Sequence, residues 1–222
     1  MVIAGPSGAG KTTVAHHLVE EFSDTLFSVS STTRKPRGDE VNGRDYNFIS
    51  RDEFQNRVSM GFFLEWAEVH GNRYGTDGGW VRKQLSMGRS VILDIDVQGA
   101  VLVKEKIPSA VLVFVLPESR EVLLNRLTGR STDSVETVRK RMEAAAGEVA
   151  ALGAFDYFVQ NDELEKTLET VESIFAVEGM KLSVAGWPRS AMEYHPGYYR
   201  GLSYWSGKKV VISSGPTREM ID

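Results

Sequence analysis

The segment Gly5-Pro6-Ser7-Gly8-Ala9-Gly10-Lys11-Thr12 is a complete G-x-x-x-x-G-K-[ST] loop, and few folds accommodate it. A short apolar run, Met1 to Ala4, enters the loop, and Thr13-Val14-Ala15-His16-His17-Leu18-Val19 reads as a helix leaving it. Glycines let the backbone fold back so that successive N–H groups converge on one concavity. There, with the positive end of the following helix, they hold phosphate oxygens. The pattern predicts a strand, loop and helix that grip a nucleoside triphosphate, with Lys11 reaching the β- and γ-phosphates and the Thr12 hydroxyl offered to Mg²⁺. The competing reading is a glycine-rich turn that merely joins strand to helix.

Short apolar runs alternate with helical periodicity along most of the chain. Leu26 to Val29, Val91 to Leu93 and Val111 to Leu116 read as strands, Val97 to Lys106 and Val122 to Leu127 as helices. Such alternation predicts a parallel α/β sheet flanked by helices, with the ligand crevice at the carboxyl ends of its strands. Two stretches break the rhythm. Between Ser30 and Trp80 the chain is polar and turn-rich, with strand-like pieces Tyr46 to Ile49 and Phe62 to Val69 around a helix opened by the capping box Ser50-Arg51-Asp52-Glu53. That stretch reads as an inserted subdomain. Thr128 to Glu136, rich in Gly, Ser, Thr and Asp between Arg-bearing helices, has the composition of a mobile flap.

Composition excludes several function classes. The 222 residues carry 26 basic and 30 acidic side chains, a formal net charge of −4, so no global positive field points to nucleic acid. No cysteine is present, which rules out disulfides, thiol catalysis and thiolate metal sites and fits a reducing compartment, the cytoplasm. The longest apolar stretch, Ala110 to Leu116, is too short to cross a bilayer, so no membrane partner is expected, and the N-terminus is committed to the loop rather than to a signal peptide. The four histidines, His16, His17, His70 and His195, show no metal-ligand spacing.

The inserted stretch has the makings of an acceptor site. Arg34 and Arg37 lie three apart on a loop leaving a strand, and the planar guanidinium fork matches a phosphate monoester. Tyr46 and Tyr74 would add phenolic donors. Glu65, in a strand-like run, suits the adjacent N1–H and amino donors of guanine better than adenine, which has an acceptor at N1. Ser30 or Thr76 would donate to the guanine carbonyl. A solvated basic turn, and an ion pair between Glu65 and a surface arginine, are the plain alternatives.

Taken in order, the motifs resemble the guanylate kinase family. The resemblance rests on Gly5 to Thr12, Ser28-Val29-Ser30-Ser31-Thr32-Thr33-Arg34, Gly43-Arg44-Asp45-Tyr46, Phe63-Leu64-Glu65-Trp66-Ala67, Tyr74-Gly75-Thr76, Leu93 to Gly99 and Arg126-Leu127-Thr128-Gly129-Arg130, and it covers residues 1 to about 180. It implies a P-loop nucleoside monophosphate kinase: a core of residues 1–29, 81–127 and 142–180, a GMP-binding subdomain over 30–80 and a lid over 128–141. It further implies GMP phosphate contacts from Arg34, Arg37, Tyr46 and Tyr74, and guanine contacts from Ser30, Glu65, Thr76 and Asp96. The ATP side falls on Gly5, Pro6, Ser7, Gly8, Ala9, Gly10, Lys11, Thr12 and Thr13 and on the flap arginines. Arg73, where an aromatic is expected, and Asp77-Gly78-Gly79-Trp80 depart from the pattern, and Met1 leaves almost no first strand.

Phosphoryl transfer asks mainly for positioning and charge stabilisation, and the attacking phosphate oxygen is already ionised, so no general base is required. Asp94, ending an apolar strand, is assigned to Mg²⁺, through water. Lys11, Arg126, Arg130 and Arg141 are the expected catalytic cations, the arginines closing on the transferring group with the flap. The expected reaction is ATP plus GMP (or dGMP) to ADP plus GDP. Two alternatives stay open: a protein-binding module built on the same fold, and a kinase for another phosphorylated acceptor. Oligomeric state is not legible.

Beyond about residue 180 the resemblance stops. Residues 181–207, with Gly186-Trp187-Pro188 and Tyr194 to Tyr199, read as an aromatic-rich connector. Residues 208–222, Lys208 to Asp222, resemble the opening of a phosphopantothenate-cysteine ligase domain and are expected to start a fused or truncated second domain; a C-terminal strand docked on the kinase is the alternative.

Overall fold

Val2–Ala4 forms β1, three fully buried residues at the centre of a parallel sheet. The computed structural model of the chain describes residues 1–69, 71–128, 139, 142, 143, 145 and 147–180. Most of the expected lid, the connector and the segment 208–222 therefore lie outside the described residues. The sheet runs β2 (Thr25–Phe27), β7 (Ser90–Asp94), β1, β8 (Leu112–Pro117), β9 (Tyr157–Asn161), every neighbouring pair parallel. The short first strand is thus paired on both edges, by β7 and by β8.

Strict alternation along these strands divides the core in two, as a sheet buried on both faces requires. Val2, Ala4, Val91, Leu93, Leu112 and Phe114 face one way, against Val81 of α3 (Gly78–Ser86) and Val97, Ala100 and Val103 of α4 (Val97–Lys106). Ile3, Ile92, Val113, Val115 and Val159 face the other, against Val14, Ala15 and Leu18 of α1 (Lys11–Glu21) and Val171 of α6 (Leu164–Met180). Each of the valine, leucine, isoleucine and phenylalanine side chains among them contributes about 1.5–3 kcal/mol by leaving water. The fifth described helix on this framework, α5 (Arg120–Thr128), packs beside β8.

A second, four-stranded sheet comes from residues 31–77, in the order β4 (Asn47–Phe48), β3 (Ser31–Thr32), β6 (Asn72–Asp77), β5 (Phe63–Val69). Between β4 and β5 runs α2 (Arg51–Ser59). The Ser50 hydroxyl caps α2 by accepting from Glu53 N at 3.1 Å. Only that half of the capping box forms, because the Glu53 carboxylate pairs with Arg57 one turn on.

The register of β5 against β6 shifts between Phe63, opposite Asp77, and Glu65, opposite Thr76. Cross-strand partners share a face, so this bulge turns Glu65 away from the Phe63 side, where Phe54 of α2 stacks, and towards α4. The same alternation settles Arg73. It lies on the α2 face, 5.8 Å over the Trp66 ring, with Nη1 donating to the side-chain Oε1 of Gln55 at 2.7 Å, whereas its neighbours Asn72 and Tyr74 face the cleft. Arg73 is therefore a packing cation of the outer face rather than a contact in the cleft.

Asp77-Gly78-Gly79-Trp80 also has a packing explanation. The Asp77 side chain caps α3 by accepting from Trp80 N at 2.9 Å. A Cβ on Gly78 would meet Leu64 N at 2.9 Å, while one on Gly79 would touch only Asp77 Oδ1 at an ordinary 3.4 Å. No helix among the described residues is long and apolar enough to cross a membrane. We expect Gly78→Ala to cost about 1–3 kcal/mol, as overpacking against backbone does. Gly79→Ala should be neutral or slightly stabilising, since alanine in a helix is about 1 kcal/mol better than glycine. Thermal melts of the two variants provide the check.

Candidate active site

Parallel pairing places Ile3 opposite Asp94, so the loop leaving β1 and the carboxylate ending β7 emerge side by side. Thr12, in the first turn of α1, donates its hydroxyl to Asp94 Oδ2 at 2.6 Å. The loop is shaped by glycines. Gly5 has φ +136° and passes so close to β8 that a Cβ would lie 2.1 Å from Val115 O, and Gly10 has φ +94°, with Asn161 filling the space a Cβ would need. Gly10 offers α1 no side-chain cap and the first turn holds no acidic residue, which leaves its N–H groups open to an anion. Lys11 Nζ donates to Pro6 O at 3.0 Å and lies over the loop.

Across a cleft of about 960 Å³ stands a second polar wall. Arg34, only 8% exposed, is held by Glu40 in a two-pronged ion pair, with both N···O distances 2.8 Å. The pair raises the pKa of the Arg34 guanidinium, with a further contribution from the Tyr74 hydroxyl, and lowers that of the Glu40 carboxyl. Tyr46 stacks under Arg34, with the guanidinium carbon 5.1 Å from the ring centre, and meets Tyr74 edge-on. Burial, reinforced by the nearby Asp94, pushes the Tyr46 phenol up to about 12, so it remains a donor at neutral pH. Arg37 and Ser30 line the same wall.

Glu65 is the most buried of the charged residues that line the cleft, 3% exposed. Three features hold it there. The bulge in β5 aims it, Thr76 donates its hydroxyl to Oε1, and Gly99 of α4 makes room, since a Cβ there would sit 2.6 Å from Oε2. Burial pushes its carboxyl up to about 7; the Thr76 bond and Lys106 act in the opposite direction and Asp96 adds to the rise. Asp96 caps α4 by accepting from Gln98 N and Gly99 N, and it lines the cleft beside Asp94.

Most of the expected site residues thus share one cleft: Gly5, Ser7, Gly8, Gly10, Lys11, Thr12 and Thr13 on one wall, Ser30, Arg34, Arg37, Tyr46, Glu65 and Tyr74 on the other, with Asp94 and Asp96 between. Pro6 and Ala9 shape the loop from behind, both buried. Thr76 is fully buried and donates its hydroxyl to Glu65; it is not itself among the residues that line the cleft. Arg126 is not among the residues that line the cleft; its Nη2 donates to Asn161 O, at the end of β9, at 3.3 Å. Arg130 and Arg141 lie outside the described residues.

Two contributors escape a reading of the sequence. Asn161, at the end of β9, donates from Nδ2 to Ala9 O at 2.7 Å and braces the loop from within the protein. Glu148 lines the cleft from the helical stretch before Ala150; burial raises its carboxyl pKa against the pull of Lys11, and its Oε2 has no hydrogen-bond partner among the described residues. Only strand-end placement would have singled out Asn161. A glutamate among alanines carries no local signal at all.

The Thr12 and Asp94 oxygens, in contact and beside the loop, are the hard donors that suit Mg²⁺ shared with substrate phosphates. No cluster of three or more His, Cys, Asp or Glu among the described residues offers an all-protein metal cage.

The chain is similar to known proteins over most of its length. The guanylate kinase family model matches residues 1–178. A guanylate kinase of Dechloromonas aromatica is 47% identical over 179 residues, 81% of this chain and 89% of that one, and one of Helicobacter pylori is 47% identical over 174 residues, 78% and 84% of the two chains. The crystal structure of guanylate kinase from Anaplasma phagocytophilum superposes with a TM-score of 0.68 at 34% identity, covering 81% of this chain and 85% of that one. With its phosphate loop, its facing polar wall and a family match over most of its length, this chain belongs to the guanylate kinase family.

Proposed function

We propose that the chain transfers the γ-phosphoryl group of ATP to GMP or dGMP, giving ADP and GDP or dGDP. The observation that carries this reading is the facing of two anion cradles in one cleft, the loop around Lys11 and the wall of Arg34, Arg37, Tyr46 and Tyr74, with a buried carboxylate, Glu65, beside the second. Membership of the family supports it.

In this reading ATP lies on the loop, its phosphates on the backbone N–H groups and on Lys11, while Thr12 and Asp94 hold Mg²⁺. When bound, the ion neutralises the triphosphate charge. GMP enters the opposite wall, its phosphate on Arg34, Arg37, Tyr46 and Tyr74. Its N1–H and amino group donate to Glu65, which Thr76 fixes in place, and Ser30 and Asp96 complete the base contacts. An ionised GMP phosphate oxygen attacks the γ-phosphorus in line; the bond from phosphorus to the β,γ-bridging oxygen breaks, and ADP leaves with the electron pair. No side chain needs to take a proton. Lys11 with Arg126, Arg130 and Arg141 supplies the positive charge that follows the transferring group, and a lid over 128–141 excludes water. The chemistry is placed in the cytoplasm, consistent with a chain free of cysteine.

A coupled assay of ADP release with GMP, dGMP, AMP, CMP and UMP tests the assignment: turnover with GMP and dGMP is expected, and comparable turnover with AMP would refute the guanine site. Glu65→Gln should lower kcat/KM for GMP by about 10²- to 10³-fold, the loss typical when a buried charged acceptor disappears. Its ATP KM should move little.

Acidity separates the roles of Glu65 further. The carboxylate form binds guanine, and its folded pKa of about 7 means that GMP affinity weakens as pH falls through 7. The second ionisation of the GMP phosphate, near pH 6, overlaps that window. Titrations of Glu65→Gln, which retain only the phosphate contribution, subtract it. Stability moves in the opposite sense. Between the ordinary value of 4.5 and about 7 the folded protein binds more protons than the unfolded chain, so stability falls as pH rises across that range. At pH 8 Glu65→Gln should therefore unfold at higher temperature than the wild type, by up to about 3 kcal/mol in free energy; at pH 4 the difference should vanish.

A further inference from the structure

Arg34 and Glu40 form the tightest ion pair in the cleft, yet a carboxylate on a phosphate-binding arginine looks at first like an obstacle. Which N–H groups it uses decides the matter. A guanidinium carries five: two on Nη1, two on Nη2 and one on Nε. Nη1 donates to Lys35 O and to Glu40 Oε2, each at 2.8 Å, and Nη2 donates to Glu40 Oε1 at 2.8 Å. Glu40 thus takes the end-on edge of the plane and Lys35 O takes the N–H nearest Cδ. The two that remain, on Nε and on Nη2, are parallel neighbours on the lateral edge of the plane. A lateral pair is a complete fork for two oxygens of a phosphate monoester.

Glu40 reaches further than Arg34. Its Oε2 also accepts from Arg37 N at 2.8 Å, and its own N–H donates to Arg37 O at 3.0 Å. One carboxylate therefore closes the turn that carries both arginines and sets the plane of the more buried one. Both partners are largely sheltered, Arg34 8% and Glu40 25% exposed, so the pair keeps its geometry better than a surface ion pair would.

The geometry points to Glu40 as a positioning residue for the acceptor phosphate: it occupies the end-on edge of Arg34 so that the lateral edge is presented to GMP, and it holds Arg37 in the same turn. This inference rests on the GMP reading of the acceptor wall. It differs from a competition model, in which Glu40 would fill the place of the phosphate and have to be displaced.

The full chain with Glu40→Gln or Glu40→Ala is measured for GMP and ATP KM, kcat, GMP dissociation constant by calorimetry, and melting temperature. Glutamine sets an amide N–H₂ against a guanidinium N–H, so both substitutions release the plane. The GMP dissociation constant and KM should rise about tenfold or more, the worth of a charge-assisted contact, while kcat at saturating GMP and the ATP KM change by less than about threefold. Glu40→Asp, which keeps the charge but shortens the reach, should lie between. It carries the test alone if the other two variants do not fold. Unchanged GMP binding would make the pair a scaffold contact and overturn the proposal, tighter binding would establish competition and overturn it, and an equal rise in ATP KM would reveal a general collapse of the cleft and overturn it as well. If the wild type itself binds GMP no better than AMP, it is the acceptor reading that fails, whatever Glu40 does.

Discussion

Parallel pairing of β1 with β7 is the contact on which the donor half of this protein turns. It lays Ile3 beside Asp94, and from that register the Thr12 hydroxyl meets the Asp94 carboxylate at 2.6 Å without any side chain having to stretch. The two strands are short, and their stability comes from the two apolar layers above and below rather than from their own hydrogen bonds. Asn161 extends the same logic to the far edge, where the end of β9 holds the back of the loop by the Ala9 carbonyl. The loop is thus set by three strand ends and by glycines that allow it to lie flush on β8.

The acceptor wall works differently. Its ionisable groups are few, sheltered and mutually dependent, and they bring opposite energetic signs. Arg34 and Glu40 favour each other's charged forms, so that pair supports the fold while it shapes the site. Glu65 is disfavoured as an anion by its burial and receives in return the hydroxyl and a backbone bond of Thr76 and the charge of Lys106. Keeping an acid in such a place costs stability, and in the proposed reading guanine, with two adjacent donors, is the partner that relieves it.

How far the sequence foretold this depends on which physical signal each part leaves. The loop is legible because its glycines and Lys11-Thr12 answer to chemistry at fixed spacing, and β7 and β8 because strands covered on both faces must be continuously apolar. β3, β6 and β9 are not, since Ser31-Thr32, Tyr74-Gly75-Thr76 and Gln160-Asn161 are polar residues paired through their backbones. Arg34 and Glu65 stand out by type, but their partners do not: Glu40 is one acid in a charged turn, and Gly99 matters only because a distant carboxylate needs its space. The bond from Thr76 to Glu65 leaves no mark in the sequence for the same reason, because which neighbour takes a hydroxyl proton is decided by tertiary approach.

The irregular step between Phe63 and Glu65 has an evolutionary corollary. By inserting half a period, it uncouples the apolar code that seals Phe63 against Phe54 from the polar code that meets the ligand. Substitutions can then drift in the first segment without inverting the second. Removing the extra residue, Leu64, would leave Phe63 and Glu65 as consecutive rungs of a regular ladder, each still opposite its partner and on its own face. What would be lost is the Leu64 side chain, which the bulge frees to join the core of the main sheet.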